Sequence, residues 1–147
     1  MSNGIRSDTP MQPAAGLVLH LDNAASAIEE CRLAILDYLA PFRLDDRVIN
    51  RLEVVLEELL SNVVRHSAGA SALTVEAEYR DGTVNFAVED DGAAFDLLEL
   101  TAPAKFTTLE EAKLGGLGVP LIRKLTESVR YERVGACNRI SAVIAAR

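Results

Sequence analysis

One stretch of this chain limits its possible folds more than any other. From Asp45 or Asp46 to about His66, apolar residues recur at Val48, Leu52, Val55, Leu56, Leu59, Leu60 and Val63. Steps of three and four place them on a single stripe of a long helix. Such a stripe needs a second apolar surface against it. Strand patterns supply one. Residues 73–79 and 83–89 alternate with period two on either side of Arg80-Asp81-Gly82, and Asp-Gly is a strong hairpin signal.

The remaining chain fits the same scheme. Residues 17–21 are short and β-like, with His20 interrupting the apolar run. Asp22 or Asn23 can then cap a helix running from Ala24 to about Ala40, with Ala27, Ile28, Cys31, Ala34, Ile35 and Leu39 at helical spacing. Pro41 ends it. Periodicity fades between Asp90 and Gly115, apart from single helical turns expected near Leu97 and Glu110. Helical spacing returns over 119–127, and 128–133 and 138–144 alternate as strands around a turn holding Gly135. Strands joined by hairpins, with helices grouped apart, predict an α+β fold. The expected architecture is a two-layer sandwich, a mostly antiparallel sheet with helices on one face.

At 147 residues the chain is expected to form one domain over 14–147, after a flexible polar tail at 1–13. That tail lacks the apolar core of a signal peptide, and no apolar run is long enough to span a membrane. The expected location is the cytoplasm, and no membrane partner is expected. Cys31 and Cys137 lack metal-ligand spacing and read as buried thiols in a reducing compartment. A net charge of −7 argues against general nucleic-acid binding, which needs clustered Lys and Arg.

Three short motifs carry the chemistry. Glu58 and Asn62 lie four apart, so they share a face of the long helix beside its apolar stripe. An Asn carboxamide oxygen suits Mg²⁺, which takes few protein ligands, and a carboxylate one turn away can accept a proton. Asp90-Asp91-Gly92 follows a strand. An acceptor-only carboxylate there suits an exocyclic amino group, with Gly92 allowing close backbone approach. Gly115-Gly116-Leu117-Gly118 opens a helix, where free N–H groups favour phosphate.

In that order the motifs resemble the ATP site of the GHKL (Bergerat-fold) ATPases. Within them the chain is most similar to the stand-alone anti-sigma factor serine kinases of bacterial partner-switching systems. The residues carrying the likeness are Glu58 to Asn62 continued by Arg65-His66, the Phe106-Thr107-Thr108 stretch ahead of the glycines, and Asn138-Arg139-Ile140 in the last hairpin. The resemblance covers about Leu17 to the C-terminus. It implies that Glu58 is the general base and Asn62 the Mg²⁺ ligand. Asp90, with Gly92, would read adenine, and Thr107, Thr108, Gly116, Leu117 and Gly118 would meet the phosphates. Arg65 and His66 fall near the nucleotide, with a helix C-terminal residue held by the dipole as an equal reading of His66. Two positions depart from the family pattern. Ala94 stands where a second glycine is common, and Leu114 where a basic residue is common, leaving Lys105 and Lys113 as candidate cations.

The resemblance implies a protein-serine/threonine kinase using ATP and Mg²⁺. Its expected substrate is a STAS-domain anti-sigma factor antagonist, and its expected target a sigma factor or another sequestered protein. A homodimer is expected on the same ground. From the residues alone, Leu17, Val18 and Leu19 read equally as exposed or as core. The alternative is a nucleotide-binding module that sequesters its target and transfers nothing.

Overall fold

The computed structural model describes residues 16–66, 70–99 and 118–146. In chain order they form β1 (Gly16–Asp22), α1 (Ser26–Leu39), a 3₁₀ turn (Ala40–Phe42) and α2 (Asp46–His66). Then come β2 (Ala72–Arg80), β3 (Thr83–Asp90), a 3₁₀ turn (Leu97–Glu99), α3 (Gly118–Leu125), β4 (Ser128–Val134) and β5 (Cys137–Ala145). The strands make one five-stranded sheet in the order β1-β2-β3-β5-β4, antiparallel at every pairing. This is the α+β sandwich expected from the sequence. The turn expected near Glu110 lies outside the described residues.

Turn chemistry sets the registers. Asp81 and Gly82 both have positive φ, 53° and 79°, so the β2–β3 hairpin closes in two residues with Arg80 facing Thr83. Gly135 takes φ 59° in the β4–β5 turn. Those registers align apolar rows across the inner face. Leu17, Ala77, Phe86, Ala142 and Val129 form one row, and Leu19, Val75, Val88, Ile140 and Tyr131 form the next. The row beyond begins with Leu21 and Leu73, then turns polar at Asp90, Asn138 and Arg133. The core stops there and the polar site begins.

The stripe of α2 covers the apolar rows, and every residue predicted for it is buried. α2 also packs on α1 and on α3. Arg32 of α1 ties the two long helices together through Glu53, at 2.7 Å. One capping expectation fails. The residue before α1 is Ala25, with no side-chain cap. Asp22 is held in the β1–β2 ladder, and Asn23 instead donates to the Ala70 carbonyl at 3.1 Å. At the sheet edge, Val18 points outward and exposed, while Leu17 and Leu19 pack on the core. Cys31 is buried, and Cys137 is half-buried rather than buried.

Candidate functional site

The register of α2 brings Glu58 and Asn62 to the edge of the core. Asn62 is fully buried, and its Nδ2 donates to the Glu58 carbonyl at 2.6 Å. That bond fixes the amide and leaves Oδ1 buried with no partner among the described residues. An orphaned buried acceptor costs about 1–3 kcal/mol, so this oxygen calls for an explanation. Gly118 at the start of α3 closes on the same pair. A Cβ there would stand 3.0 Å from Glu58 Oε2 and 3.1 Å from Asn62 Nδ2. Glycine thus permits the approach of α3 to α2. Burial raises the Glu58 carboxyl above its ordinary range, the charge of Glu57 adds to the shift, and Arg65 opposes it.

Farther along α2, the His66 ring stacks on Phe95, with centroids 5.4 Å apart and planes at 29°. Burial, and then the charge of Arg65, lower the His66 pKa. Its Nε2 is buried and unpartnered among the described residues. Arg65 itself is exposed. The His66–Phe95 stack joins the end of α2 to the loop that follows Asp90.

In that loop the two aspartates separate. Asp91 turns outward and accepts from the Ser71 N–H at 2.8 Å and the Ser71 hydroxyl at 3.0 Å. The Ser71 backbone bond leads the causes that hold its carboxyl below the usual range. Asp90 turns inward, only 3% exposed. Its Oδ1 accepts from the Gly92 N–H at 2.9 Å and from Asn138 Nδ2 at 3.0 Å. Arg133 Nη1 donates to the Gly92 carbonyl at 2.9 Å.

The described residues therefore bring together Glu58, Asn62 and Gly118 as one group. Asp90 and Gly92 form a second, and His66 bridges toward it through Phe95. Thr107, Thr108, Gly116 and Leu117 lie outside the described residues, as do Lys105, Lys113 and Leu114. Sequence reasoning passed over Asn138 as a site residue. Its signal was an amide at an inward position of an alternating strand, in phase with Ile140, Ala142 and Ile144. A concavity of about 390 Å³ lies on the opposite, outer face, lined by Val18, Glu76, Ala87, Arg139 and Ser141. It shares no residue with the site.

Comparison with known proteins gives this geometry its context. Residues 21–144 match the family described as histidine kinase-like ATPase domain. The serine/threonine-protein kinase BtrW of Bordetella bronchiseptica is 30% identical over 113 residues, covering 71% of this chain and 78% of that protein. A crystal structure of the RsbU and RsbW domains of a Mycobacterium tuberculosis protein superposes with a TM-score of 0.64 at 18% identity, over 88% of this chain. This chain spans 32% of that longer one. The catalytic domain of the histidine kinase ThkA gives a TM-score of 0.52 at 16% identity, over 88% of this chain and 96% of that one. These two structures support the fold. The family match and the Bordetella relative establish that the chain belongs to the histidine-kinase-like ATPases of the GHKL class.

Proposed function

We propose that this protein is a Mg-ATP-dependent serine/threonine kinase of a partner-switching system. It acts in the cytoplasm, as a homodimer, on a STAS-domain anti-sigma factor antagonist. It also sequesters a sigma factor or another target. The observation that carries this reading is the buried, unpartnered Oδ1 of Asn62, one helical turn from the Glu58 carboxylate and under Gly118. The named activity of the Bordetella relative supports it.

The donor set suits Mg²⁺. Asn62 offers one hard oxygen, and the described residues hold no group of three His, Cys, Asp or Glu that would cage a metal by themselves. A single protein ligand with phosphates and waters is how Mg²⁺ commonly binds. When bound, the ion supplies positive charge against the phosphates. Asn62 holds it, and Glu58 accepts the proton of the partner's hydroxyl. The raised Glu58 pKa makes that carboxylate a better base than an exposed one. Asp90 accepts from the adenine amino group, and Gly92 lets backbone approach the ring. Gly118, with Thr107, Thr108, Gly116 and Leu117, meets the phosphates, and Arg65 and His66 flank the nucleotide.

The test is transfer of label from γ-labelled ATP to the antagonist encoded nearby. Label on a partner serine or threonine, lost in Glu58→Ala, is the expected result. No transfer by the wild type, or full transfer by Glu58→Ala, overturns the kinase reading. The rival reading is a nucleotide-binding sequestering module, and Ala94 and Leu114 are its sequence support. Calorimetry separates the two, since tight ATP binding without transfer supports the rival.

A further inference from the structure

The densest polar network among the described residues centres on Asn138, a side chain to which no motif assigned a role. Asn138 is 3% exposed. Its Nδ2 donates to Asp90 Oδ1 at 3.0 Å and to the Ala93 carbonyl at 2.8 Å. Its Oδ1 accepts from the Tyr131 hydroxyl at 2.6 Å, from the Phe95 N–H at 3.0 Å and from Arg133 Nη1 at 3.2 Å. Both amide hydrogens are used, and the oxygen has only donors around it. The amide therefore has one orientation, because its flipped form would set donors against donors.

This arrangement fills one side of Asp90 and leaves the other open. Both bonds to the carboxylate fall on Oδ1, while Oδ2 takes none among the described residues. The same amide pins the loop at Ala93 and Phe95, on either side of Ala94, where backbone freedom is less than glycine would give. Tyr131 and Arg133 stand behind it on β4, two register positions apart, with Arg133 the direct partner of Asn138.

We propose that Asn138 is the positioning residue for base selection, with Tyr131 locking its amide, so that Asp90 presents Oδ2 alone to an exocyclic amino group. The proposal rests on the reading of Asp90 as the base-recognition residue. Asn138 touches no nucleotide in this scheme. It acts through Asp90 and the loop, and all of its valences are spent on protein.

The test is calorimetric affinity for ATP and for purine riboside triphosphate, which lacks only the exocyclic amino group. The wild type is expected to prefer ATP. In N138A that preference should fall about tenfold, through weaker ATP binding with analogue binding unchanged. Y131F retains the packed ring and deletes one bond, so it keeps its fold even where N138A does not. It should lose about threefold to fivefold of the preference. A variant that weakens both nucleotides equally, or that keeps the wild-type preference, overturns the positioning role. D90A separates the two levels. A wild type without preference, or a D90A protein that keeps it, removes the Asp90 reading and this proposal with it. A preference lost in D90A but intact in N138A and Y131F removes this proposal alone.

Discussion

At Asn62, the demands of the fold and of the proposed function pull in opposite directions. Its buried Oδ1 has no partner among the described residues, so folding gains nothing from that atom. Asn62→Ala should leave thermal stability within about 1 kcal/mol of wild type, because the lost bond to the Glu58 carbonyl is offset by removal of an orphaned acceptor. Phosphoryl transfer should fall on the order of a hundredfold, the loss of a few kcal/mol of charge stabilisation. A circular-dichroism melt and a label-transfer assay on one preparation check both halves. Glu58 shows the same opposition through pH. Its folded pKa lies above the ordinary carboxylate value, so the folded state binds the proton more tightly than the unfolded chain does. Stability then declines as pH rises from the unfolded pKa through the raised folded one. Glu58→Gln should therefore melt higher than wild type at pH 7, and the difference should vanish in acid, while transfer is abolished. A Gln variant that melts lower at pH 7 contradicts the assigned cause of the shift. Gly118→Ala adds a methyl 3.0 Å from Glu58 Oε2. Alanine is the better helix former. The same methyl would stand 3.1 Å from Asn62 Nδ2, so any loss of transfer in this variant reports crowding of the Glu58–Asn62 pair and its phosphate site and not a weaker α3.

At the scale of elements, α2 was the most legible part of the sequence because one period governs it over 21 residues. Every stripe position predicted from spacing is buried, and the charged positions between them are not. Leu59→Ala should cost about 2–5 kcal/mol, whereas Val54→Lys, on the exposed side at 39% accessibility, should stay within about 0.5 kcal/mol. Urea melts of the two variants compare them directly. Hairpins were legible for a different reason, since Asp81-Gly82 can adopt the backbone that closes β2 and β3. The start of α1 was not legible. Asp22 and Asn23 have the chemistry of caps, but the ladder to β2 and the tie to Ala70 claim them first. The site was legible where its partners are local, as with Glu58 and Asn62 one turn apart. It was not legible at Asn138, whose bond to Asp90 spans 48 positions of sequence and depends on the β3–β5 register.

For the whole molecule, the site lies where three elements end: the last turns of α2, the start of α3 and the polar row of the sheet. A nucleotide bound there links elements that are otherwise joined by few polar contacts, so binding should be visible as global stability. A ligand at a hundred times its Kd adds about 2.7 kcal/mol, which for a domain of this size raises Tm by about 5–10 °C. That rise should need both the base and the metal. With Mg²⁺ and ATP the full shift is expected. With EDTA present it should shrink to a small fraction, because Asn62 Oδ1 has no cation to meet and the phosphates stay uncompensated. In Asp90→Ala it should shrink even with Mg²⁺. The apo Tm of that variant should also fall modestly, since Asn138 Nδ2 and the Gly92 N–H lose their acceptor. Differential scanning fluorimetry across the four combinations of protein and chelator decides the matter. A full ATP shift in EDTA would separate nucleotide binding from Asn62, and an unchanged shift in Asp90→Ala would place the base elsewhere. Loss of the shift in both arms makes the metal and Asp90 two requirements for binding one ligand, and repeating the Mg²⁺ arm with Asn62→Ala, where the shift should likewise shrink, assigns the metal end to Asn62.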